Sequence, residues 1–225
     1  MNDFDPAALI RTITVYLIPV LFAISLHEAA HGYVAKYFGD PTASDQGRLS
    51  LNPARHIDLF GTVLLPLMLF FAHLPILGYA KPVPVDFDRL RNPKKQMAWV
   101  AAAGPAANFA MGLGWMILYV LIGGELAGEP YFAAVAKAGI SVNAAMCAFN
   151  LIPIPPLDGG RIVTGLLPDR LAYKFARIER YGIYVFAGLI LLMYTGLLNG
   201  VLAAAIHGLI VVFALLVHPL SLLLN

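Results

Sequence analysis

Residues 8–38 read ALIRTITVYLIPVLFAISLHEAAHGYVAKYF, with charged or imidazole side chains only at Arg11, His27, Glu28, His31 and Lys36. A helix crossing a bilayer needs about 20 mostly apolar residues, so this stretch, Ala8–Phe38, is long enough to span one. Ionisable groups inside such a helix are costly and mark function by default. Three of them within His27-Glu28-Ala29-Ala30-His31 need a common reason. Positions i and i+4 share a helix face, so both imidazoles can grip one metal ion. Glu28 falls beside them, placed to take a proton from a metal-bound water. A pair of interfacial histidines with a snorkelling glutamate is the plainer alternative. It fits poorly, because Gly32–Lys36 carries the helix on past the cluster.

The rest of the chain agrees with a lipid environment. Of 225 residues, 60% are hydrophobic and 12% charged, against about 45–50% and 25% in soluble domains. That leaves too little polar surface to solvate a free domain. A net charge of +2 without a basic run gives no footing for nucleic acid. The single cysteine, Cys147, has no internal disulfide partner. Met1–Pro6 is acidic and lacks the cationic start of a secretory signal, so the first apolar segment is expected to stay in the mature protein.

Working outward, further spans are expected at Met97–Ile122, Tyr131–Ile152, Ile183–Leu198 and Val201–Leu224, the last two joined by a tight turn at Asn199-Gly200. Ile57–Leu77 is apolar but interrupted by Gly61, Pro66 and Pro75, and proline breaks the helical ladder. Lys36–His56, Ala80–Gln96 and Pro155–Tyr181 hold 13 of the 15 lysines and arginines, whereas Gly123–Pro130 holds Glu125 and Glu129 and no base. The positive-inside rule places all three basic stretches in the cytoplasm, which requires Ile57–Leu77 to enter and leave on one side. The expected fold is therefore an all-α polytopic membrane protein with five transmembrane helices and a re-entrant segment. Six spans is the alternative. Short β-strands are expected in the cytoplasmic-side loops, and residues 1–225 form one membrane domain.

A catalytic zinc takes three protein ligands and keeps an open position. The best third ligand is Asp158, in Asn150-Leu151-Ile152-Pro153-Ile154-Pro155-Pro156-Leu157-Asp158-Gly159-Gly160. Prolines unwind the helix there, and glycines permit close backbone approach. The plainer reading of Asp158 is a cap on the next helix. His27, His31 and Asp158 can share an ion only if the first span runs parallel to the one ending near Ile152. The five-span arrangement makes them so.

At these residues the chain resembles the site-2 protease family of intramembrane zinc metalloproteases. Its HExxH helix matches His27–His31, its LDG motif matches Leu157-Asp158-Gly159, and its GPxxN motif matches Gly104-Pro105-Ala106-Ala107-Asn108. Asn52–Asp58 and Gly78–Val85 suggest the small bacterial-type branch without PDZ or CBS domains, although Leu59 stands where that branch has proline. The resemblance implies one zinc ion held by His27, His31 and Asp158, with Glu28 as general base. It further implies that Asn150 and Asn108 position the substrate backbone or steady an oxyanion. The partners would be a membrane-protein substrate helix and the lipid bilayer, in a bacterial cell membrane with the active site toward the cytoplasm. A substrate helix must unwind before cleavage. The β-prone run Lys81, Pro82, Val83 through Val85 is expected to pair with it by strand addition. A metal-ion transporter or a catalytically inactive membrane scaffold are the rival readings, and neither gives Glu28 a specific task. His56 and His73 are read as interfacial, and His207 and His218 as sharing one face of the last span.

Overall fold

The computed structural model describes residues 5–72, 74, 78–123 and 130–224. His73, Glu125, Glu129 and the end of the Ile57–Leu77 stretch lie outside them. Nine α-helices occur among the described residues: α1 (Pro6–Tyr37), α2 (Thr42–Asp45), α3 (Leu65–Phe71), α4 (Pro93–Leu121), α5 (Pro130–Asn150), α6 (Asp158–Leu166), α7 (Asp169–Ala176), α8 (Gly182–Tyr194) and α9 (Asn199–Leu224). Four of them, α1, α4, α5 and α9, are long and apolar enough to cross a membrane.

Three of these build the scaffold of the site. Helix α4 packs most extensively on α5 and α1, and α1 also packs on α5. Their directions follow from residue contacts. The Tyr131 hydroxyl donates to the Thr14 carbonyl near the starts of α1 and α5, and Asp158, just past α5, meets His27 and His31 near the end of α1. These two helices are therefore parallel. His31 reaches Val100 and Asn108 reaches Ala23, so α4 runs antiparallel to both.

That antiparallel pairing fixes what lies between. The Arg91 N–H donates to the Phe38 carbonyl, joining the end of α1 to the start of α4. Residues 39–92 thus leave and return at one end of the bundle. Inside this excursion the Tyr79 N–H donates to the Gly61 carbonyl and the Thr62 hydroxyl to the Tyr79 carbonyl, so the apolar stretch departs from and comes back to one point. Its outgoing limb is a π-helix, Leu59–Leu64, continued by α3. Asp58 opens that limb by accepting from the Gly61 N–H. Gly61 is required because a Cβ there would lie 2.4 Å from the Tyr79 ring.

Two expectations meet a different outcome. The stretch Ile183–Leu198 forms the 13-residue helix α8 and a turn through Gly196. At 1.5 Å per residue α8 is about 20 Å long, short of a bilayer core of about 30 Å. No strand occurs among the described residues, so the expected strands at Lys81–Val85 are absent: that run has no regular structure and no neighbouring strand to pair with.

Helix α9 packs on α4 and α5 around Phe213, which is fully buried with Met116, Ile140, Ala144 and Val217. Phe213 fits the notch at Gly112, where a Cβ would lie 2.5 Å from its ring. Elsewhere the bundle surface is apolar: Leu215, Leu222, Ile183 and Leu191 are all exposed. Such a surface is stable in lipid, where apolar exposure carries no penalty.

Candidate metal centre

His27 and His31 stand one turn apart on α1, and Asp158 is the first residue of α6. His27 Nε2 and His31 Nε2 are 3.1 Å apart. Asp158 Oδ2 lies 3.2 Å from the first and 3.4 Å from the second. The three groups are buried or nearly so, and they form the one potential metal cluster among the described residues. His207 and His218 form none; both are exposed along α9.

The ring orientations are set from behind. Val100 offers His31 Nδ1 a backbone carbonyl at 2.7 Å, a pure acceptor, so Nδ1 carries the proton and Nε2 keeps its lone pair. For His27 the argument takes one more step. The Asn108 amide nitrogen donates to the Ala23 carbonyl (3.2 Å) and to Asn143 Oδ1 (3.1 Å), which fixes Asn108 Oδ1 as the atom 2.6 Å from His27 Nδ1. His27 Nδ1–H therefore donates, and its Nε2 lone pair also faces the centre. Asn143 is held in turn by donating to the Gly139 carbonyl at 2.8 Å. Both asparagines are fully buried.

The result is two imidazole lone pairs and a carboxylate oxygen facing one another. Asp158 Oδ2 has no hydrogen-bond donor in this buried position. Such a set repels itself unless a proton or a metal cation sits among it. Ligands about 2.0–2.1 Å from a tetrahedral zinc stand about 3.3–3.4 Å apart. The observed edges of 3.1, 3.2 and 3.4 Å match that triangle, so the residues fit zinc.

Glycines make the room. A Cβ on Gly104 would lie 2.4 Å from His31 Nε2 and 2.6 Å from His27 Cε1. Past Asp158 a Cβ on Gly159 would lie 2.4 Å from the Leu151 carbonyl oxygen, and one on Gly160 2.2 Å from Pro155 N. The turn that delivers Asp158 is therefore folded tightly against its own backbone.

Glu28 extends toward the excursion between α1 and α4. Its Oε2 accepts from the Val83 N–H at 2.8 Å. Val83 is buried and packs over Gly32, where a Cβ would meet its side chain at 2.8 Å. Arg48 steadies the same run by donating to the Lys81 carbonyl at 3.1 Å and the Pro82 carbonyl at 3.3 Å. The Lys81 N–H donates to His56 O. The segment expected to meet substrate thus lies against the proposed base, with the backbone groups from the Lys81 N–H to the Val83 N–H taken. Among the described residues the Val83 carbonyl and the Val85 N–H have no partner.

The two remaining candidates differ in placement. Asn108 stands behind His27 with both ends of its amide engaged, which leaves it no donor to offer a substrate. Asn150, at the end of α5, donates to the Met146 carbonyl at 3.0 Å and is half-buried. Sequence reasoning missed Asn143, Val100 and Arg48. The signal for Asn143 was there: an amide in the middle of a mostly apolar helix needs a partner.

A bundle of apolar helices closing on a buried His-His-Asp triad beside a glutamate describes a membrane metallopeptidase. The chain belongs to peptidase family M50, whose sequence profile matches residues 124–194. YwhC of Bacillus subtilis, which carries a zinc-metalloprotease name, is 37% identical over 177 residues, covering 76% of this chain and 77% of the relative. Rip2 of Mycolicibacterium smegmatis, similarly named, is 27% identical over 80% of this chain and 66% of its own length. Zinc metalloprotease MJ0392 of Methanocaldococcus jannaschii is 27% identical over 71% of this chain, which spans only 36% of that protein. No solved structure matches the chain. The family and these relatives make the protein a zinc metalloprotease of the membrane.

Proposed function

We propose that the protein hydrolyses peptide bonds in or beside transmembrane helices of other membrane proteins, with zinc held by His27, His31 and Asp158. The observation that carries this reading is the triangle of three lone-pair atoms beside Glu28. Zinc there would act as a Lewis acid on a water and on the scissile carbonyl. Glu28 takes the proton of the attacking water and returns it to the leaving amine. Asn108 and Asn143 hold His27 in the tautomer that leaves Nε2 free, a positioning role. Asn150 contacts the substrate backbone.

The substrate arrives extended. In a strand the N–H and C=O of one residue point to the same edge, as do those two residues on. On taking strand geometry against a substrate, the run would present the Val83 carbonyl and Val85 N–H on the edge whose Val83 N–H reaches Glu28. A substrate strand pairing there is led past the base. The same geometry supports crossings by α1, α4, α5 and α9 and a re-entrant excursion, with the centre toward the basic, cytoplasmic side. The buried triad, enclosed between α1, α4 and α6, gives no support to ion transit.

The test is cleavage of single-span membrane peptides by the purified protein in detergent, with zinc measured per chain. Glu28→Gln should retain zinc and lose at least about 10²-fold in cleavage rate. A Glu28→Gln protein that cuts at the native rate rejects Glu28 as base, and a native protein without zinc rejects the centre.

A further inference from the structure

Three cations outside the metal centre converge on one cavity. Helix α7 runs into a 3₁₀ turn, Arg177–Tyr181, which leads directly into α8. A 3₁₀ helix has three residues per turn, so positions i and i+3 eclipse. Arg177 and Arg180 therefore stack in register, with Lys174 one turn ahead. Together with Ile178 and Tyr181 they line a surface cavity of about 280 Å³.

Among the described residues none of the three forms an ion pair. The acids of this region are engaged elsewhere, Glu179 by Arg161 and Asp169 by Lys94. Aromatic faces hold two of the cations: Arg177 lies 6.0 Å from the Tyr173 ring and Arg180 5.9 Å from the Tyr181 ring. Three like charges in register repel one another, and one anion between them turns that repulsion into attraction.

Position says which anion. The cavity opens at the start of α8, a helix without a charged residue. Tyr181, Ile183 and Tyr184 there are 54%, 79% and 74% exposed. Cations and tyrosines at the mouth of an exposed apolar face mark the depth of lipid headgroups. We propose that Lys174, Arg177 and Arg180 bind the phosphodiester of an anionic membrane lipid, whose acyl chains lie along α8.

The full chain in neutral detergent would be titrated with short-chain phosphatidylglycerol, phosphatidylcholine of equal chain length, and inorganic phosphate, and bound ligand counted by native mass spectrometry. Phosphatidylglycerol should bind and phosphatidylcholine should not. Lys174→Gln, Arg177→Gln and Arg180→Gln should each weaken binding about fivefold, and the triple variant about 100-fold. Unfolding temperature is read alongside; should the triple variant unfold early, the three single variants decide. Lys95→Gln, an exposed base at the start of α4, should change nothing. Native-like lipid binding by the triple variant, an equal loss in Lys95→Gln, or inorganic phosphate binding as tightly as phosphatidylglycerol would each overturn the assignment.

Discussion

Replacing Gly104 by alanine adds one methyl group at the place where α4 faces the two imidazoles. That Cβ would lie 2.4 Å from His31 Nε2, against 3.4 Å for an ordinary contact, a deficit of 1.0 Å. Neither ring can swing aside freely, because His27 Nδ1 is held by Asn108 at 2.6 Å and His31 Nδ1 by the Val100 carbonyl at 2.7 Å. The strain is therefore relieved by moving the nitrogens that face the metal or by parting α1 from α4. Overpacking of this kind costs about 1–3 kcal/mol, and a displacement of about 1 Å at a reacting centre lowers rate about 10²-fold. Gly104→Ala should lose at least about tenfold in zinc affinity, measured by chelator competition, and about 10²-fold in cleavage. Gly114→Ala on the same helix is the control: its Cβ would find nothing within 4 Å, so it should be neutral or raise stability by about 0.5–1 kcal/mol. A Gly104→Ala protein with native zinc affinity and native cleavage would refute the view that this glycine sets the distance between helix and ligands.

Further expectations concern the surroundings of the centre. Asn108→Leu removes the acceptor behind His27 and should weaken zinc binding about 10–100-fold, measured by chelator competition. Gly160→Ala puts a Cβ 2.2 Å from Pro155 N, a backbone atom that cannot yield. Thermal unfolding in detergent should show a loss of about 2–3 kcal/mol, with zinc content falling in parallel. Asp40, outside the spans, offers a pH test. Burial pushes its carboxyl pKa up, but hydrogen bonds from the Thr42 side chain and N–H and from the Asp86 N–H, with Arg89 nearby, outweigh this and hold it below the ordinary value of 3.8. A lowered folded pKa means the ionised form stabilises the fold: the contribution is complete above about pH 4 and fades as pH falls further. The unfolding temperature of Asp40→Asn should therefore be lower than native at pH 5 and converge with it toward pH 2. Equal differences at both pH values would assign the effect to packing instead.

Much of this was legible in the sequence because membrane burial makes polar residues conspicuous. His27, Glu28 and His31 stood out by helical spacing in a stretch with almost no other charge, and Asp158 by a turn whose prolines and glycines announce irregular backbone. The distribution of basic residues also favoured an apolar stretch that enters and leaves on one side, and the Arg91 N–H bond to the Phe38 carbonyl brings the ends of residues 39–92 together. What sequence concealed depends on which atom faces which. Asn108 reads equally well as a substrate donor or as a helix-packing residue beside Gly104, and the contacts to the Ala23 carbonyl, 85 residues away, and to His27 place it behind the ligand instead. The Lys81–Val83 run reads as a strand by propensity, but a strand needs a neighbour, and in the isolated chain that place is taken by Arg48 and Glu28. The length of α8 was hidden because apolar composition continues through the turn that ends it.

The ligands are far apart along the chain: His27 and His31 belong to the first helix, Asp158 to a turn more than a hundred residues later. During synthesis α1 enters the membrane while α4 and α5 have yet to be made. At that stage two imidazoles are present without Asn108 to orient one of them, without the Val100 carbonyl to orient the other and without the carboxylate that completes the triangle. Under the proposed assignment the set is complete only after the third long helix is in place, and a chain arrested before residue 158 lacks the carboxylate that closes the triangle.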